Sequence, residues 1–569
     1  MNAKYLEWTS KTLEDADLTA ELEAVRDNEE EINDRFYRDL EFGTGGLRGV
    51  IGAGTNRMNI YTVRKATQGV ADYINANFKD GSIAISYDSR IKSDVFAKEV
   101  ARVCAANGVK AHIYPELMPT PALSFAVREL KCSMGVMITA SHNPAKYNGY
   151  KAYGPDGCQI TNETADAVLA NILSVNEFDD VKTVSFEEGL ASGMISYIGQ
   201  EVVESYYANV LKQSIHSEIV KTSGFKVVYT PLNGTGNKPV REILKRIGIQ
   251  DVTVVKEQEL PDGNFPTCPF PNPEIKQALE LGMKYCEETG SDLLLATDPD
   301  CDRVGIAVKW NGDYKLLTGN EVGALLLDYI ASQRIAMGTM PPKPLAVKTI
   351  VTTDLCEFIA KKYGVELVNV LTGFKFIGEQ IGRMEAKGEQ DNYIFGFEES
   401  YGYLAGTYVR DKDAVVASML ICEMAAFYSK QGKNLVEVLQ GLYDTYGYFL
   451  CTQQSFAFEG EQGMADMKKI MQELRANPAK EIGPDKVLGF GDYLASSHTD
   501  MVSGEKTVIN LPKSDVLMYE LENGCKAVIR PSGTEPKIKI YYFVLRENEA
   551  AAREKEKELQ SSFTKLLKI

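Results

Sequence analysis

The sequence lacks the features that mark secreted proteins, membrane proteins and zinc proteins. Its ten cysteines are scattered without a CxxC pair and only four histidines are present, which argues against a disulfide framework and a Cys/His zinc site. No stretch approaches the roughly eighteen apolar residues of a membrane-spanning helix. The segment VGALLLDYIA comes nearest, and Asp328 interrupts it. The acidic N-terminal segment lacks the basic and apolar regions of a signal peptide, so we expect a cytoplasmic protein.

Basic residues are fewer than acidic ones, 62 against 79. The formal net charge is −17, which disfavours nucleic acid or an anionic membrane as the main partner. A small phosphorylated substrate stays compatible with this charge wherever basic side chains converge locally. Composition is that of an ordinary globular protein, with 44% hydrophobic and 25% charged residues. At about 150 residues per domain, a chain of 569 residues predicts roughly four domains.

Strands and helices alternate in three successive regions, and each region ends in a loop of unusual composition. The last strand of each region is predicted to run into Ser141, into DPDCDR after 293–297, and into FEES (397–400) within NYIFGFEESYG (392–402). The third region also contains a predicted helix over 355–363. Such alternation predicts mixed sheets covered by helices, with ligands bound beyond the carboxyl ends of the strands.

The fourth region differs in its pattern. Closely spaced strands are followed by a charged helix over 547–569, which predicts an α+β domain. The predicted domains are 1–215, 216–325, 326–455 and 456–569.

The first unusual loop lies in the segment MITASHNPAKYNGYK (137–151). Ser141 follows an apolar run that predicts a buried strand, and the His-Asn-Pro after it is typical of a turn. A serine hydroxyl presented in this way can be an active-site nucleophile, with Lys151 ten residues further along. A surface turn is the alternative, and this segment alone leaves both open.

The second loop is DPDCDR, which places Asp298, Asp300 and Asp302 at alternate positions after a predicted buried strand. Three carboxylates so close together suit a hard cation such as Mg²⁺ or Ca²⁺. An EF-hand is excluded, because its sixth and twelfth positions would fall on Arg303 and Lys309 instead of Gly and Glu. A solvated turn rich in aspartate is the other alternative.

The third loop, GFEESYG (396–402), sets two acidic groups and a hydroxyl between glycines. These groups can accept hydrogen bonds from vicinal sugar hydroxyls, whereas a plain helix N-cap would use only Ser400. Lys412 follows within the segment RDKD (410–413). It is either an acid/base group or part of a solvated ion pair.

The fourth loop, RPSGTEP (530–536), combines an arginine, two hydroxyls and a glycine-centred turn. That combination suits a phosphate dianion, with a hairpin turn as the alternative. A further glycine-rich loop near the N-terminus, GTGGLRG (43–49), carries Arg48. Taken together, the loops supply a hydroxyl nucleophile, a metal site, acceptors for sugar hydroxyls and a phosphate clamp. These are the groups needed to move a phosphoryl group on a sugar phosphate.

At this point the chain closely resembles the α-D-phosphohexomutase superfamily, which includes phosphoglucomutases and phosphomannomutases. The resemblance covers essentially the whole chain and rests on TASHNP, DPDCDR, GFEESYG and RPSGTEP in the family's order. It implies three α/β domains and a C-terminal α+β domain, similar to the TATA-box-binding protein, around a central active-site cleft. It also implies a cytoplasmic, Mg²⁺-dependent isomerase of carbohydrate metabolism that is a monomer or homodimer, acts on a small sugar phosphate and uses glucose 1,6-bisphosphate as activator or intermediate.

The resemblance assigns roles to individual residues. Ser141 resembles the serine that is phosphorylated in the active enzymes. The implied catalytic residues are Ser141, His142, Lys151, Lys412 and Arg48. The implied metal ligands are Ser141, Asp298, Asp300 and Asp302. The implied substrate-binding residues are Thr372, Gly373, Glu398, Ser400, Arg303, Arg530, Ser532, Gly533 and Thr534.

The implied reaction is the reversible interconversion of glucose 1-phosphate and glucose 6-phosphate through a phosphoserine enzyme. Lys412 or Lys151 would accept the hydroxyl proton, which requires a depressed pKa. Gly46 stands where many members carry serine, and Cys301 replaces a small residue between the second and third aspartates.

The preferred sugar is left open by the sequence. GTNRMN (54–59) and FPTCPFPNPE resemble the longer branch that contains both phosphoglucomutases and phosphopentomutases. Phosphopentomutase and phosphomannomutase are therefore the alternatives. Glucose-1,6-bisphosphate synthase, N-acetylhexosamine mutase, a phosphoserine-intermediate phosphatase and a non-enzymatic sugar-phosphate sensor are disfavoured.

Overall fold

The chain forms four successive β-sheets of six, five, four and eight strands. The computed structural model describes residues 2–43, 45–458, 460–531 and 537–568. The first three sheets are mixed and covered by helices, and the fourth is antiparallel, which confirms the predicted fold class. Within these ranges no helix is long and apolar enough to cross a membrane.

The first sheet follows three short N-terminal helices. Its strands are β1 (Gly46–Val50), β2 (Ser82–Tyr87), β3 (Lys110–Ile113), β4 (Met134–Ile138), β5 (Tyr147–Tyr153) and β6 (Ile195–Tyr197). The helices of this region are α1 (Ala3–Ser10), α2 (Ala16–Ala24), α3 (Glu29–Phe36), α4 (Ile60–Asn77), α5 (Ser93–Ala106), α6 (Thr120–Glu129), α7 (Asn162–Leu173), α8 (Phe186–Ala191) and α9 (Gln200–Leu211). In space the strands are ordered β1-β5-β4-β2-β3-β6, and β5 is antiparallel to both of its neighbours.

The second sheet has a parallel core and an antiparallel edge. Its strands are β7 (Lys226–Thr230), β8 (Asp251–Val254), β9 (Leu293–Thr297), β10 (Val304–Trp310) and β11 (Asp313–Leu317). The helices are α10 (Ser217–Lys221), α11 (Asn237–Ile247), α12 (Lys256–Glu259) and α13 (Lys276–Thr289). The order is β11-β10-β9-β7-β8, with β9, β7 and β8 parallel.

The third sheet has the same plan with fewer strands. These are β12 (Leu345–Thr349), β13 (Glu366–Val370), β14 (Tyr393–Glu398) and β15 (Gly402–Leu404), in the order β13-β12-β14-β15. The helices are α14 (Gly319–Ala336), α15 (Leu355–Tyr363), α16 (Phe374–Ala386), α17 (Ala414–Ser429) and α18 (Leu435–Tyr446), with a 3-10 turn at Gln390–Asn392.

The fourth sheet is antiparallel, as the closely spaced strands predicted. Its strands are β16 (Tyr448–Ala457), β17 (Glu481–Ile482), β18 (Asp485–Asp492), β19 (Ser497–Asp500), β20 (Lys506–Val508), β21 (Leu517–Leu521), β22 (Lys526–Pro531) and β23 (Lys537–Arg546). The helices are α19 (Gly460–Ala476) and α20 (Glu549–Leu567), and a 3-10 turn covers Glu522–Gly524.

The domain limits at 215/216, 325/326 and 455/456 stay predictions. The second of them falls inside α14, which begins at a capping box in which Thr318 and Glu321 exchange side-chain-to-backbone hydrogen bonds. A strong helix start of this kind makes 318 a more natural place for a division than 325.

The first three sheets share one local arrangement that positions the chemistry. In each, a fully buried parallel strand turns back into an antiparallel neighbour: β4 into β5, β9 into β10, and β14 into β15. The apolar β4 and β9 have all five residues buried. The turns of these three hairpins are the serine, aspartate and FEES loops picked out from the sequence.

Trp8 fixes the N-terminal helices to the first sheet domain. Its indole is fully buried and contacts the rings of Phe36, Tyr61 and Phe178 edge-on at centroid distances of 5.8, 5.5 and 5.4 Å. Its Nε1 donates to Glu177 Oε1 at 3.3 Å. We expect Trp8→Ala to destabilise this domain by about 3–5 kcal/mol, since a large buried ring and its edge contacts are lost.

Amide hydrogen exchange measures this effect region by region, which suits a chain of several domains. Trp8→Ala should reduce protection in α1 and α4, while Leu6→Ala, on the same helix but 48% exposed, should change it little. Equal protection in the two variants would contradict the prediction.

Candidate active site

Ser141 lies at the turn between β4 and β5 in a backbone conformation that is rare for serine. Its φ is +52°, in the left-handed region, which costs of order 1–3 kcal/mol for a residue with a Cβ. The residue is buried, and its hydroxyl donates to Asp298 Oδ2 at 3.1 Å and lies 3.3 Å from His142 Nδ1. The strained turn therefore aims the serine at the aspartate loop of the next sheet.

The three aspartates converge at the turn between β9 and β10. All three are buried, and Asp298, Asp300 and Asp302 each offer a carboxylate oxygen within 4.8 Å of the others. Among the described atoms, the Oδ1 atoms of Asp300 and Asp302 have no hydrogen-bond partner. Buried, unpartnered carboxylate oxygens fit a hard divalent cation, so this cluster could hold a metal ion.

The electrostatics of the cluster point the same way. Burial and the charges of Asp300 and Asp302 raise the pKa of Asp298 well above its ordinary value. Burial would also raise the pKa of Asp300, but the charge and hydrogen bond of Lys151 outweigh it and hold that pKa well below the ordinary value. Three buried carboxylates cannot all stay ionised at low cost without further positive charge, and a bound cation provides it.

Two lysines flank the aspartates. Lys151 Nζ donates to Asp300 Oδ2 at 2.8 Å, and Lys412 Nζ lies 3.2 Å from Asp302 Oδ2. Burial alone would lower the pKa of each lysine, but Asp300 and Asp302 raise that of Lys151, and Asp302 and Asp411 raise that of Lys412. The expectation of a depressed lysine pKa is therefore wrong for this arrangement of charges.

Three further residues predicted for the site lie close to the serine and the aspartates. Arg303 Nη1 donates to Oε1 of Glu274 at 2.5 Å, and Glu274 lies in the loop that precedes α13. Burial, together with the charges of Arg303 and Arg48, lowers the pKa of His142 well below its ordinary value, so the imidazole is neutral. Arg48 lies on β1, opposite Gly149 of β5.

The FEES loop forms the turn between β14 and β15 and contacts the aspartate loop. The carbonyl of Tyr401 accepts from the backbone N–H of Val304 at 3.1 Å. Glu398 Oε1 accepts from the backbone N–H of Gly373 at 2.9 Å, and Gly373 has φ +116°, which glycine adopts readily. The negative charges of Glu274, Asp302, Asp298 and Glu398 raise the pKa of Arg303, so Glu398 acts on the same guanidinium as the aspartate cluster.

The remaining polar groups predicted to bind the sugar are partly accessible to solvent. Ser400 and Thr372 are half-buried. Burial and the charge of Glu398 raise the pKa of Glu399 to about 7, and Glu399 Oε2 accepts from Thr349 Oγ1 at 3.1 Å. Its carboxyl group is therefore partly protonated near neutral pH.

Comparison with known proteins is consistent with this geometry. Three consecutive models, Phosphoglucomutase/phosphomannomutase alpha/beta/alpha domains I, II and III, match residues 39–178, 204–311 and 318–446. A phosphoglucomutase of Staphylococcus saprophyticus is 38% identical over 521 residues, covering 91% of this chain and 93% of that protein. A phosphoglucomutase of Staphylococcus aureus is 37% identical and covers 90% of each chain. The chain belongs to the phosphoglucomutase/phosphomannomutase family.

Solved structures show the same fold at lower identity. A phosphoglucomutase/phosphomannomutase family protein from Burkholderia thailandensis has a TM-score of 0.67 at 18% identity, covering 93% of this chain and 96% of that one. The open form of parafusin from Paramecium has a TM-score of 0.68 at 16% identity, with the same coverage. The resemblance predicted from the four loops is thus confirmed, and as a phosphoglucomutase/phosphomannomutase family member the chain is an enzyme of the isomerase class.

The predicted phosphate clamp is described only at its first residues. Arg530 lies near the end of β22, paired in register with Lys539 of β23. Ser532, Gly533 and Thr534 lie outside the described residues. Burial and the negative charges of Glu399 and Glu398 raise the pKa of Tyr541, while a hydrogen bond with Arg530 opposes the shift.

Several supporting residues are absent from the sequence-based list. Asp411 Oδ1 lies 3.1 Å from Lys412 Nζ, and its Oδ2 accepts from Tyr153 OH at 2.8 Å, so a tyrosine of β5 orients the neighbour of Lys412. Glu274 holds Arg303, as given above. Asp88 and Arg90 contact the serine turn. The only local signal for Asp88 and Arg90 was the polar composition of Asp88-Ser89-Arg90 after β2. No local feature of the sequence marked Tyr153 or Glu274.

Proposed function

We propose that the chain interconverts glucose 1-phosphate and glucose 6-phosphate through a phosphoserine at position 141 and a glucose 1,6-bisphosphate intermediate. One observation carries the proposal: the hydroxyl of Ser141, on a strained turn, lies 3.1 Å from a buried three-aspartate cluster. The FEES loop, with its acceptors for sugar hydroxyls, faces the same cluster. The curated relatives named above are phosphoglucomutases, which favours glucose over other sugars.

In the first half-reaction the phosphoryl group on Ser141 passes to the free 6-hydroxyl of glucose 1-phosphate. The bond between phosphorus and Ser141 Oγ breaks, a bond between phosphorus and O6 forms, and the hydroxyl proton of O6 ends on Ser141 Oγ. Positive charge near the transferred group comes from Lys151, Arg303 and Arg48. Catalysis of this kind depends mainly on positioning and charge neutralisation.

In the second half-reaction the bisphosphate turns over in the cleft and presents its 1-phosphate to Ser141. The bond between phosphorus and O1 breaks, a bond between phosphorus and Ser141 Oγ forms, and the proton of the Ser141 hydroxyl ends on O1. In both orientations the sugar hydroxyls would form hydrogen bonds with Glu398, Ser400, Thr372 and Gly373. Arg530, with the neighbouring clamp residues, would hold the phosphate that is not being transferred.

Asp298, Asp300, Asp302 and an oxygen of the phosphorylated Ser141 would hold Mg²⁺, whose charge offsets that of the phosphoryl group. Which of Lys412 and Lys151 acts as the acid/base group stays a prediction. The neighbouring carboxylates raise the pKa of both lysines, so each is suited to donating a proton and not to accepting one. We further propose that the reaction takes place in the cytoplasm and that the enzyme is a monomer or homodimer.

A panel of sugar phosphates tests the substrate assignment. With catalytic amounts of glucose 1,6-bisphosphate, kcat/KM for glucose 1-phosphate should exceed that for mannose 1-phosphate and ribose 1-phosphate by at least about tenfold. One correctly hydrogen-bonded hydroxyl can supply a difference of that size. The sugar 6-phosphate or 5-phosphate product is measured by chromatography, together with inorganic phosphate.

The rival activities give different results in the same assay. A higher kcat/KM for the pentose or for mannose would replace glucose by that sugar and leave the mutase assignment intact. Steady release of inorganic phosphate without isomer would indicate a phosphatase and contradict the proposal. Net accumulation of glucose 1,6-bisphosphate, given a phosphoryl donor, would indicate a bisphosphate synthase.

A further inference from the structure

Arg90 is buried directly behind the serine turn. Its side chain and that of Asp88 are completely inaccessible to solvent, and both residues follow β2 in the loop Asp88-Ser89-Arg90. The guanidinium is 51 to 57 residues away in sequence from the groups it binds. This contact joins two loops of the first sheet that are far apart in the sequence.

The guanidinium donates to four backbone carbonyl oxygens of the serine turn. The distances are 2.5 Å to that of Ser141 and 3.0 Å to those of Pro144 and Tyr147, and Nη2 also bonds the carbonyl of Asn143. All four acceptors lie within residues 141–147, on both sides of the bend. Only arginine offers several N–H groups in a fixed planar arrangement that can satisfy so many acceptors.

A second chain of contacts ties the start of the same turn to Arg90. The backbone N–H of Ser141 donates to Thr139 Oγ1 at 2.8 Å, and Thr139 Oγ1 donates to Asp88 Oδ2 at 2.6 Å. Asp88 Oδ2 is also 3.3 Å from Arg90 Nε. The left-handed backbone of Ser141 is therefore held from its amide and from its carbonyl by one buried ion pair.

The second domain covers this ion pair. The ring of Phe265, a buried residue of the loop before α13, lies 5.2 Å from the Arg90 guanidinium. A Cβ on Gly263 would lie 2.4 Å from the backbone nitrogen of Ile91, so the loop approaches closely only because glycine is present. Water is thereby kept from the guanidinium, and its hydrogen bonds to the carbonyl groups are strengthened.

From these contacts we infer that Arg90 is a positioning residue for the phosphoryl-carrying serine. It holds the 141–147 turn in the one conformation that directs the Ser141 hydroxyl to the aspartate cluster. Its guanidinium touches only backbone carbonyls, Asp88 and Phe265 among the groups described, so it acts through the turn and not on the sugar. This inference rests on the proposed function for its kinetic consequence but not for its structural one.

The test compares Arg90→Lys and Arg90→Ala with Arg64→Lys. Arg64 is the matched control, because it is also buried and ion-paired, with Glu14 and Glu99, but lies on α4 away from the serine turn. We expect kcat to fall about 100-fold in both Arg90 variants, the loss typical of a reacting group misplaced by about 1 Å. KM should change less than about threefold, because the phosphate clamp and the FEES loop are untouched.

Two readouts separate positioning from a general loss of stability. Amide exchange should accelerate in residues 139–147 of the Arg90 variants and stay unchanged there in Arg64→Lys. Millimolar guanidinium should restore at least about tenfold of the kcat lost by Arg90→Ala, since the small cation can occupy the same cavity and bind the same carbonyls. If Arg90→Ala does not fold, Arg90→Lys gives the kinetic and exchange comparison by itself.

Unchanged exchange in 139–147, or a kcat within about threefold of that of Arg64→Lys, would overturn the inference. Absence of mutase activity in the unsubstituted chain would contradict the proposed function instead. The exchange comparison still decides the role of Arg90 in that case, because it requires no substrate.

Discussion

Ser141→Ala is expected to lower mutase kcat by roughly 10⁴-fold or more, the scale seen when a covalent nucleophile is removed from an enzyme. The turn presents the Ser141 hydroxyl to Asp298 at 3.1 Å, and alanine leaves no group there to carry the phosphoryl group. The substitution should leave the fold intact, because alanine fits the same space and only the hydroxyl and its hydrogen bond to Asp298 are lost. Mass spectrometry of the peptide that contains residue 141 should find one phosphoryl group in the parent and none in the variant.

Ser418→Ala is the matched control for this experiment. Ser418 is also fully buried, and its hydroxyl, within the part of the chain that the structure describes, has no hydrogen-bond partner. We expect its kcat and phosphorylation to equal those of the parent. Substantial mutase activity in Ser141→Ala, or a phosphoryl group on a different residue of the active protein, would show that the nucleophile has been assigned wrongly.

Asp300→Asn is expected to weaken Mg²⁺ binding by at least about 100-fold and to lower kcat by at least about 10³-fold. An amide oxygen is a much poorer ligand for this cation than a carboxylate, because it carries no negative charge. Thr120 Oγ1, which donates to Asp300 Oδ2 at 3.0 Å, can still donate to asparagine, so the side chain should keep its place. The loss would therefore come from the missing charge.

Calorimetric titration with magnesium chloride, after dialysis against a chelator, measures the affinity directly. The melting temperature gives a second readout, because an ion that binds only the folded chain raises it by mass action. Asp328→Asn is the control: this buried carboxylate lies on α14 and accepts from Tyr363 of α15 at 2.9 Å. Equal magnesium affinity in Asp300→Asn and the parent would rule out the aspartate cluster as the metal site.

Much of the fold was visible in the sequence. The strand over 293–297 and the helix over 355–363 occur with the predicted bounds. Both are short apolar segments closed by strong local signals, an Asp-Pro turn after β9 and a glycine at φ +66° after α15. Signals of this kind act over a few residues and are therefore legible without tertiary structure.

Other features depended on contacts between distant segments. The boundary predicted at 325/326 falls within α14, because the helix continues through that point without a compositional break. The sequence predicted a depressed pKa for Lys151 or Lys412. Both pKa values are instead raised, because carboxylates on another hairpin lie 2.8 Å from Lys151 and 3.2 Å from Lys412. Arg90 received no role from sequence, since its acceptors are backbone carbonyls that any residue type provides.

The sequence by itself determined the order of the loops, the residue types that carry the chemistry and the alternation of strands and helices. Hydrophobic periodicity, turn residues and runs of like charge express these properties locally. Only the tertiary structure decided which groups meet: Ser141 with Asp298, Glu274 with Arg303, and Arg90 with the serine turn. Those pairings follow from strand order and register, which bring residues 29 to 157 positions apart within hydrogen-bond distance, and no local pattern records that separation.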